Sequence, residues 1–153
     1  MKVTLQTLRE AAQEALSRLE TLPQDHAAVL ALSGELGAGK TSLTQAIAHE
    51  LGIEESVTSP TFVIEKIYEL PGAREGEALG FRNYRWKFLI HIDAYRLNSK
   101  EELKPLGWDD VIANSENLVI VEWPSNVAGA FPPDAVFAEL VVTGETSREL
   151  SYA

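Results

Sequence analysis

Apolar positions follow two rhythms along this chain, and the switches between them mark alternating helices and strands. Leu8, Ala11, Ala12, Ala15, Leu16 and Leu19 recur at helical intervals, so an amphipathic helix is predicted to run to about Glu20. Thr7 and Glu10 have capping-box spacing at its start, with Thr7 as the N-cap. Val3–Leu5 before it reads as a short edge strand, and Leu22–His26 after it as a loop. Ala27–Ser33 (AAVLALS) is a continuous short apolar run, the pattern of a strand buried on both faces. The glycine-rich stretch from Gly34 to Gly39 breaks it. Helical spacing then returns from Lys40 to Leu51 through Leu43 and Ile47, and Gly52 ends that helix.

Further along, Val57–Thr61 is interrupted by Pro60, and Phe62–Tyr68 and Phe88–Ile92 read as two strands. Between them Pro71–Lys87 carries three glycines and mixed charge, which predicts an exposed loop or a long hairpin tip. Its aromatic residues Phe81, Tyr84 and Trp86 either cover the edge of the core or mark a contact surface. Ser99 and Glu102 repeat the capping-box spacing ahead of Leu103 and Leu106, with Pro105 and Gly107 limiting the helix. Asp109–Ala113 forms a further turn. Leu118–Val121 is an apolar strand ending in Glu122, and Val136–Val142 with Arg148–Tyr152 flank a Thr-Gly-Glu-Thr turn as a terminal hairpin. Strands alternating with helices predict one α/β domain over residues 1–153, a central mixed β-sheet with helices on both faces.

Composition narrows the chemistry. The chain has 153 residues, 45% of them hydrophobic, enough to bury a core. Its 13 basic and 23 acidic residues give a formal charge of -10, which repels nucleic-acid phosphates over most of the surface. Strong binding of DNA or RNA by this chain alone is not expected; a partner or a local basic patch would have to bring it to RNA. There is no cysteine, so disulfides and thiolate chemistry are excluded. The N-terminal MKVTLQTLRE lacks the apolar core of a signal peptide, and no run approaches the roughly 20 apolar residues of a membrane span. A cytoplasmic protein away from membranes is the expectation.

One motif carries the strongest chemical signal. Gly34-Glu35-Leu36-Gly37-Ala38-Gly39-Lys40-Thr41 matches G-x-x-x-x-G-K-S/T, and a random chain of this length matches it about once in two hundred. It lies between an apolar strand and a helix, where a phosphate-binding loop has to lie. Glycines let backbone N–H groups approach a triphosphate, and the following helix presents its N-terminus to the anion. Lys40 supplies a point charge for the β- and γ-phosphates, and Thr41 a hydroxyl for Mg²⁺. A P-loop enzyme also needs a carboxylate at the end of a neighbouring strand to complete the Mg²⁺ shell. Two runs end that way, Phe88–Ile92 at Asp93 and Leu118–Val121 at Glu122. If the first strand persists, its alternation places His91, Asp93 and Tyr95 on one face. His91 is then either a base or a core-edge histidine. Trp123 either stacks near the nucleotide or caps the core. Ser59-Pro60-Thr61 is either a hydroxyl-bearing segment that senses the γ-phosphate or Mg²⁺, or a plain proline turn.

The order of these motifs resembles the TsaE family, the P-loop ATPases of bacterial threonylcarbamoyladenosine tRNA modification. The matching pieces are Gly34–Thr41 (GELGAGKT), Ser59–Phe62 (SPTF), His91–Leu97 (HIDAYRL), Glu102–Gly107 (ELKPLG) and Glu122–Pro124 (EWP), with Ser147-Arg148-Glu149 where the family carries an arginine. The resemblance implies that Leu36, Gly37, Ala38, Gly39, Lys40 and Thr41 wrap the phosphates of ATP. It implies that Thr41 and Glu122 contact Mg²⁺, and that Asp93 is the strand-end acid, acting through metal or water. It further implies that Ser59–Thr61, with Thr61, behaves as a switch, and that Arg148 and the Thr4–Thr7 stretch approach the nucleotide. The implied partners are TsaD and TsaB, with ATP hydrolysis coupled to their transfer cycle and tRNA met only through the assembly. Pro71–Lys87 is longer than the family's usual link, which bears on the docking surface and not on the site.

Three other functions compete. A small-molecule kinase on the same fold would need an acceptor pocket and an arginine-bearing lid, for which Arg74, Arg82 and Arg85 are the candidates. A GTPase-type switch would need an Asn-Lys-x-Asp motif, and Asn98-Ser99-Lys100-Glu101 has the wrong spacing. An assembly factor would use the nucleotide only to shape an interface.

Overall fold

The computed structural model describes residues 1–58, 64–71 and 84–153. Its centre is the apolar run that precedes the glycine loop. This strand, β2 (Ala28–Gly34), follows a two-residue strand β1 (Lys2–Val3) and helix α1 (Leu8–Glu20). Helix α2 (Lys40–Glu50) follows the loop, and β3 (Glu65–Glu69) and β4 (Phe88–Asp93) come next. A 3-10 segment, Lys100–Leu106, leads into the short helix α3 (Trp108–Ala113) and strand β5 (Asn117–Glu122). A second 3-10 turn, Pro124–Val127, precedes the hairpin of β6 (Val136–Val142) and β7 (Arg148–Tyr152).

These strands form one seven-stranded sheet in the order β1-β7-β6-β2-β5-β4-β3. The middle is parallel, with β2 between β5 and β6 and β4 beside β5; β1, β7 and β3 join antiparallel at the edges. This is the predicted mixed α/β sheet. Two apolar layers sandwich it. On one face Leu16 and Leu19 of α1 and Leu43 and Ile47 of α2 pack on Leu30, Leu32, Leu89 and Ile120. On the other, Leu103, Trp108 and Val127 cover Val29, Ile90, Ile92, Val119 and Val121. Because alternate residues of one strand feed both layers, β2 and β5 had to be apolar throughout.

Besides altered bounds of β2, β3 and β5, the structure departs from the sequence expectations in four places. The edge strand is Lys2–Val3 rather than Val3–Leu5, and Leu5 is exposed. Thr7 makes no side-chain cap; its Oγ1 accepts from the Thr4 N–H at 2.8 Å, a local turn that competes with the capping geometry. The second capping box does form, with Glu102 reaching back to the N–H groups of Ser99 (3.3 Å) and Asn98, but the segment it opens is a 3-10 helix with Pro105 inside it. Finally, Trp86 is buried and Tyr84 packs against the core, so the C-terminal end of the Pro71–Lys87 segment is core cover rather than exposed loop. Phe62 and Phe81 lie outside the described residues. Among the described residues no helix is long and apolar enough to cross a membrane.

Candidate nucleotide-binding site

Parallel pairing brings the C-terminal ends of β2, β5 and β4 to one edge of the sheet. Leu32 pairs with Glu122 and Asp93 pairs with Glu122, so the two predicted acids stand side by side on neighbouring strands next to the glycine loop. Ligands of open α/β sheets bind at this edge. There Leu36, Gly37, Gly39, Lys40, Thr41, Asp93, Glu122 and Trp123 line one cleft of about 370 Å³. Of residues 36–41, Ala38 is the one that does not line it; it is buried against the core.

The loop needs its glycines at specific places. A Cβ on Gly34 would stand 2.8 Å from the Leu140 carbonyl oxygen, because β6 runs close beside it. Gly39 has φ 99°, left-handed, where the chain turns into α2. Lys40 begins that helix and is only 5% exposed. Its Nζ donates to the carbonyls of Gly34 at 2.6 Å and Glu35 at 3.0 Å, and lies 4.3 Å from the centre of the Trp123 ring. Burial pushes the ammonium below its ordinary pKa, while the Glu122 and Asp93 carboxylates pull it back up.

The two acids are both buried, at 6% for Asp93 and 3% for Glu122. Asp93 Oδ1 accepts from the Tyr95 N–H at 3.0 Å, and Glu122 Oε2 lies 2.5 Å from His91 Nε2. Adjacent buried carboxylates repel one another, and a divalent cation relieves that repulsion. Among the described residues no group of three or more His, Asp or Glu is arranged to hold a metal by itself. Two carboxylates and a hydroxyl fit Mg²⁺, which takes few protein ligands and completes its shell with phosphate and water.

Trp123 lines the cleft and also packs against the second apolar layer. It is left-handed (φ 59°), one of two non-glycine residues with positive φ among those described. That backbone turns its ring onto Lys40 and Tyr95, whose centroid is 5.1 Å away, while it also packs at the edge of the second apolar layer. The strand ends at Asp93, so Tyr95 does not share a face with His91; it sits half exposed in a turn. Asn126 pins that turn by donating to the carbonyls of Ala94 (3.0 Å) and Tyr95 (3.2 Å). Sequence reasoning missed Asn126, since nothing local signals a contact across about thirty residues.

Arg148 braces the loop from outside. Its Nε donates to the Ala38 carbonyl at 3.0 Å and its Nη2 to that of Gly37 at 3.3 Å. It borders a second cleft of about 230 Å³, shared with Val3, Thr4, Leu8, Gly39 and Ser42. His91 is fully buried, a core-edge histidine and not an exposed base. Arg85 donates to the carbonyls of Leu22 and Pro23, before the start of β2 and so at the end of the sheet away from the glycine loop. Thr61, with the rest of Ser59–Phe62, lies outside the described residues, as do Arg74 and Arg82.

Comparison with known proteins agrees with this arrangement. The family model described as Threonylcarbamoyl adenosine biosynthesis protein TsaE matches residues 5–150. The tRNA threonylcarbamoyladenosine biosynthesis protein TsaE of Streptomyces coelicolor is 40% identical, covering 79% of this chain and 74% of that protein. The Bacillus subtilis protein of the same name is 30% identical over 95% of this chain and 82% of its own. The crystal structure of Bacillus subtilis YdiB superposes with a TM-score of 0.65 at 26% identity, covering 99% of this chain and 83% of that one. A family match across nearly the whole length, on a P-loop sheet with these acids at its edge, means that the chain belongs to the TsaE family of threonylcarbamoyl adenosine biosynthesis proteins.

Proposed function

We propose that this chain binds and hydrolyses Mg·ATP in the cytoplasm as the ATPase component of the bacterial tRNA threonylcarbamoyladenosine machinery, coupling hydrolysis to the TsaD–TsaB transfer cycle. The observation that carries the reading is the convergence of Lys40, Thr41, Asp93 and Glu122 on one cleft at the edge of the parallel strands. Membership of the family supports the pathway. The acidic surface supports contact with tRNA only through the assembly.

In this reading the backbone N–H groups of Gly37 to Lys40 cradle the phosphates, and the N-terminus of α2 favours their charge. Lys40 moves from the Gly34 and Glu35 carbonyls to the phosphate oxygens and stabilises the charge that develops on them. Thr41, Asp93 and Glu122 would hold Mg²⁺, which when bound neutralises phosphate charge and orients the γ-phosphate. The second cleft, beside Gly39 and Ser42, is where the nucleoside would lie, with Thr4 and the guanidinium of Arg148 at its border. Thr61 would complete the site as part of a nucleotide-sensing segment.

The test is phosphate release by the pure chain, with and without TsaD and TsaB, beside the Lys40→Ala variant. The reading predicts Mg²⁺-dependent phosphate release that the partners raise and Lys40→Ala lowers by about a hundredfold or more, the scale of removing a charge-stabilising donor. Transfer of phosphate to an added acceptor, without net release, would instead support a kinase.

A further inference from the structure

His91 is not among the residues that line the cleft, yet it touches one of them. It lies two positions before Asp93 on β4, on the face turned toward α2, and is fully buried. Its Nε2 lies 2.5 Å from Glu122 Oε2 on the neighbouring strand. A carboxylate oxygen only accepts, so the ring donates through Nε2–H. The other ring nitrogen, Nδ1, is buried and has no hydrogen-bond partner among the described residues. A side chain serving only to fill the core would be apolar here, since a buried polar atom without a partner is costly. The position accepts that cost and gains one bond, to Glu122. That bond engages Oε2 and leaves Oε1 without a bond from His91, on a carboxylate that lines the cleft.

We propose that His91 is a positioning residue: it fixes the rotation of the Glu122 carboxylate so that one oxygen is presented to the metal of a bound Mg·nucleotide. The proposal rests on the Mg·ATP reading above. It acts as hydrogen bonds behind metal ligands generally act, by orienting a ligand that would otherwise turn. The phosphate contacts of the glycine loop and Lys40 do not depend on it, so its loss is read in metal-dependent affinity and not in affinity for free ATP.

Calorimetric titrations of ATP, once with excess Mg²⁺ and once in EDTA, test this on wild type, His91→Leu, His91→Asn and His91→Gln, each first checked for cooperative urea unfolding. Gln carries an amide N–H at about the reach of Nε2, and Asn falls short of it. The expected result is a loss of Mg·ATP affinity of roughly tenfold or more in the Leu and Asn variants. Affinity in EDTA should be unchanged, and the Gln variant should recover most of the loss. Equal affinities for Mg·ATP in Asn and Gln, or equal losses with and without Mg²⁺, would overturn the proposal. Should His91→Leu not fold, the comparison of Asn with Gln decides by itself. If wild type binds ATP with no gain from Mg²⁺, the Mg·ATP reading itself falls and takes this proposal with it. Variant losses against a clear Mg²⁺ gain in wild type separate the two.

Discussion

At the residue scale the site depends on atoms that are absent as much as on those present. Gly34 closes β2 where the Leu140 carbonyl would stand 2.8 Å from any Cβ, and Ala38 Cβ 3.1 Å from it. Neither neighbour is the far end of a flexible side chain, so Gly34→Ala must move β6 or the loop. Overpacking of this kind costs about 1–3 kcal/mol. The expected outcome is a lower urea midpoint together with weaker nucleotide binding; an unchanged midpoint would show that the backbone absorbs the methyl group freely. Trp123 is the opposite case, a bulky residue held left-handed immediately before Pro124. Such a conformation costs of order 1–3 kcal/mol and persists where surrounding contacts over-determine it. Here those contacts are Lys40 beneath the ring and Tyr95 beside it.

At the element scale, the runs that feed the sheet were legible because parallel strands buried on both faces must be apolar throughout. β2 shifts by one residue from its expected bounds, β5 contains its expected run and starts one residue earlier, and the β6–β7 hairpin keeps its own. The glycine loop was legible because the phosphate-binding motif restricts residue type at four positions within a span of eight. What stayed hidden needed register or distance. The His91–Glu122 contact exists only because β4 and β5 pair in one alignment. Arg148 reaches the loop from 110 residues away. Thr7 had the right spacing for a cap and lost to a closer donor.

One further tie joins elements at the opposite end of the central strands. His26, between α1 and β2, bridges Asp25 (Nδ1 to Oδ1, 2.6 Å) and Asp134 (Nε2 to Oδ2, 2.8 Å), which precedes β6. Hydrogen bonds to Asp134 and then Asp25 raise its pKa above the ordinary 6.5 against some desolvation, and Arg85 also feels the Asp134 charge. A raised folded pKa means stabilisation that is full below the unfolded value and fades as pH rises through the folded one. The advantage of wild type over His26→Gln should therefore be largest below the ordinary imidazole pKa of about 6.5 and fade as pH rises above it, in urea midpoints taken at low salt. The bridge is partly exposed, so the effect is small; an advantage that grows with pH would contradict it.

At the scale of the whole molecule, charge and fold divide the labour. A formal charge of -10 makes the surface a poor one for tRNA, while the single ammonium of Lys40 sits inside the cleft against two carboxylates. With Mg·ATP as the proposed ligand, affinity for phosphate would be concentrated at that one point and disfavoured elsewhere. Its place in the pathway follows from the family it belongs to, whereas its chemistry follows from that one point. The most direct measurement is a calorimetric titration of the folded chain with Mg·ATP, repeated with Lys40→Ala and in the presence of TsaD and TsaB. The account predicts saturable binding by wild type that the Lys40→Ala variant loses while keeping its fold. A folded wild-type chain that shows no Mg·ATP affinity, alone or with its partners, would contradict it.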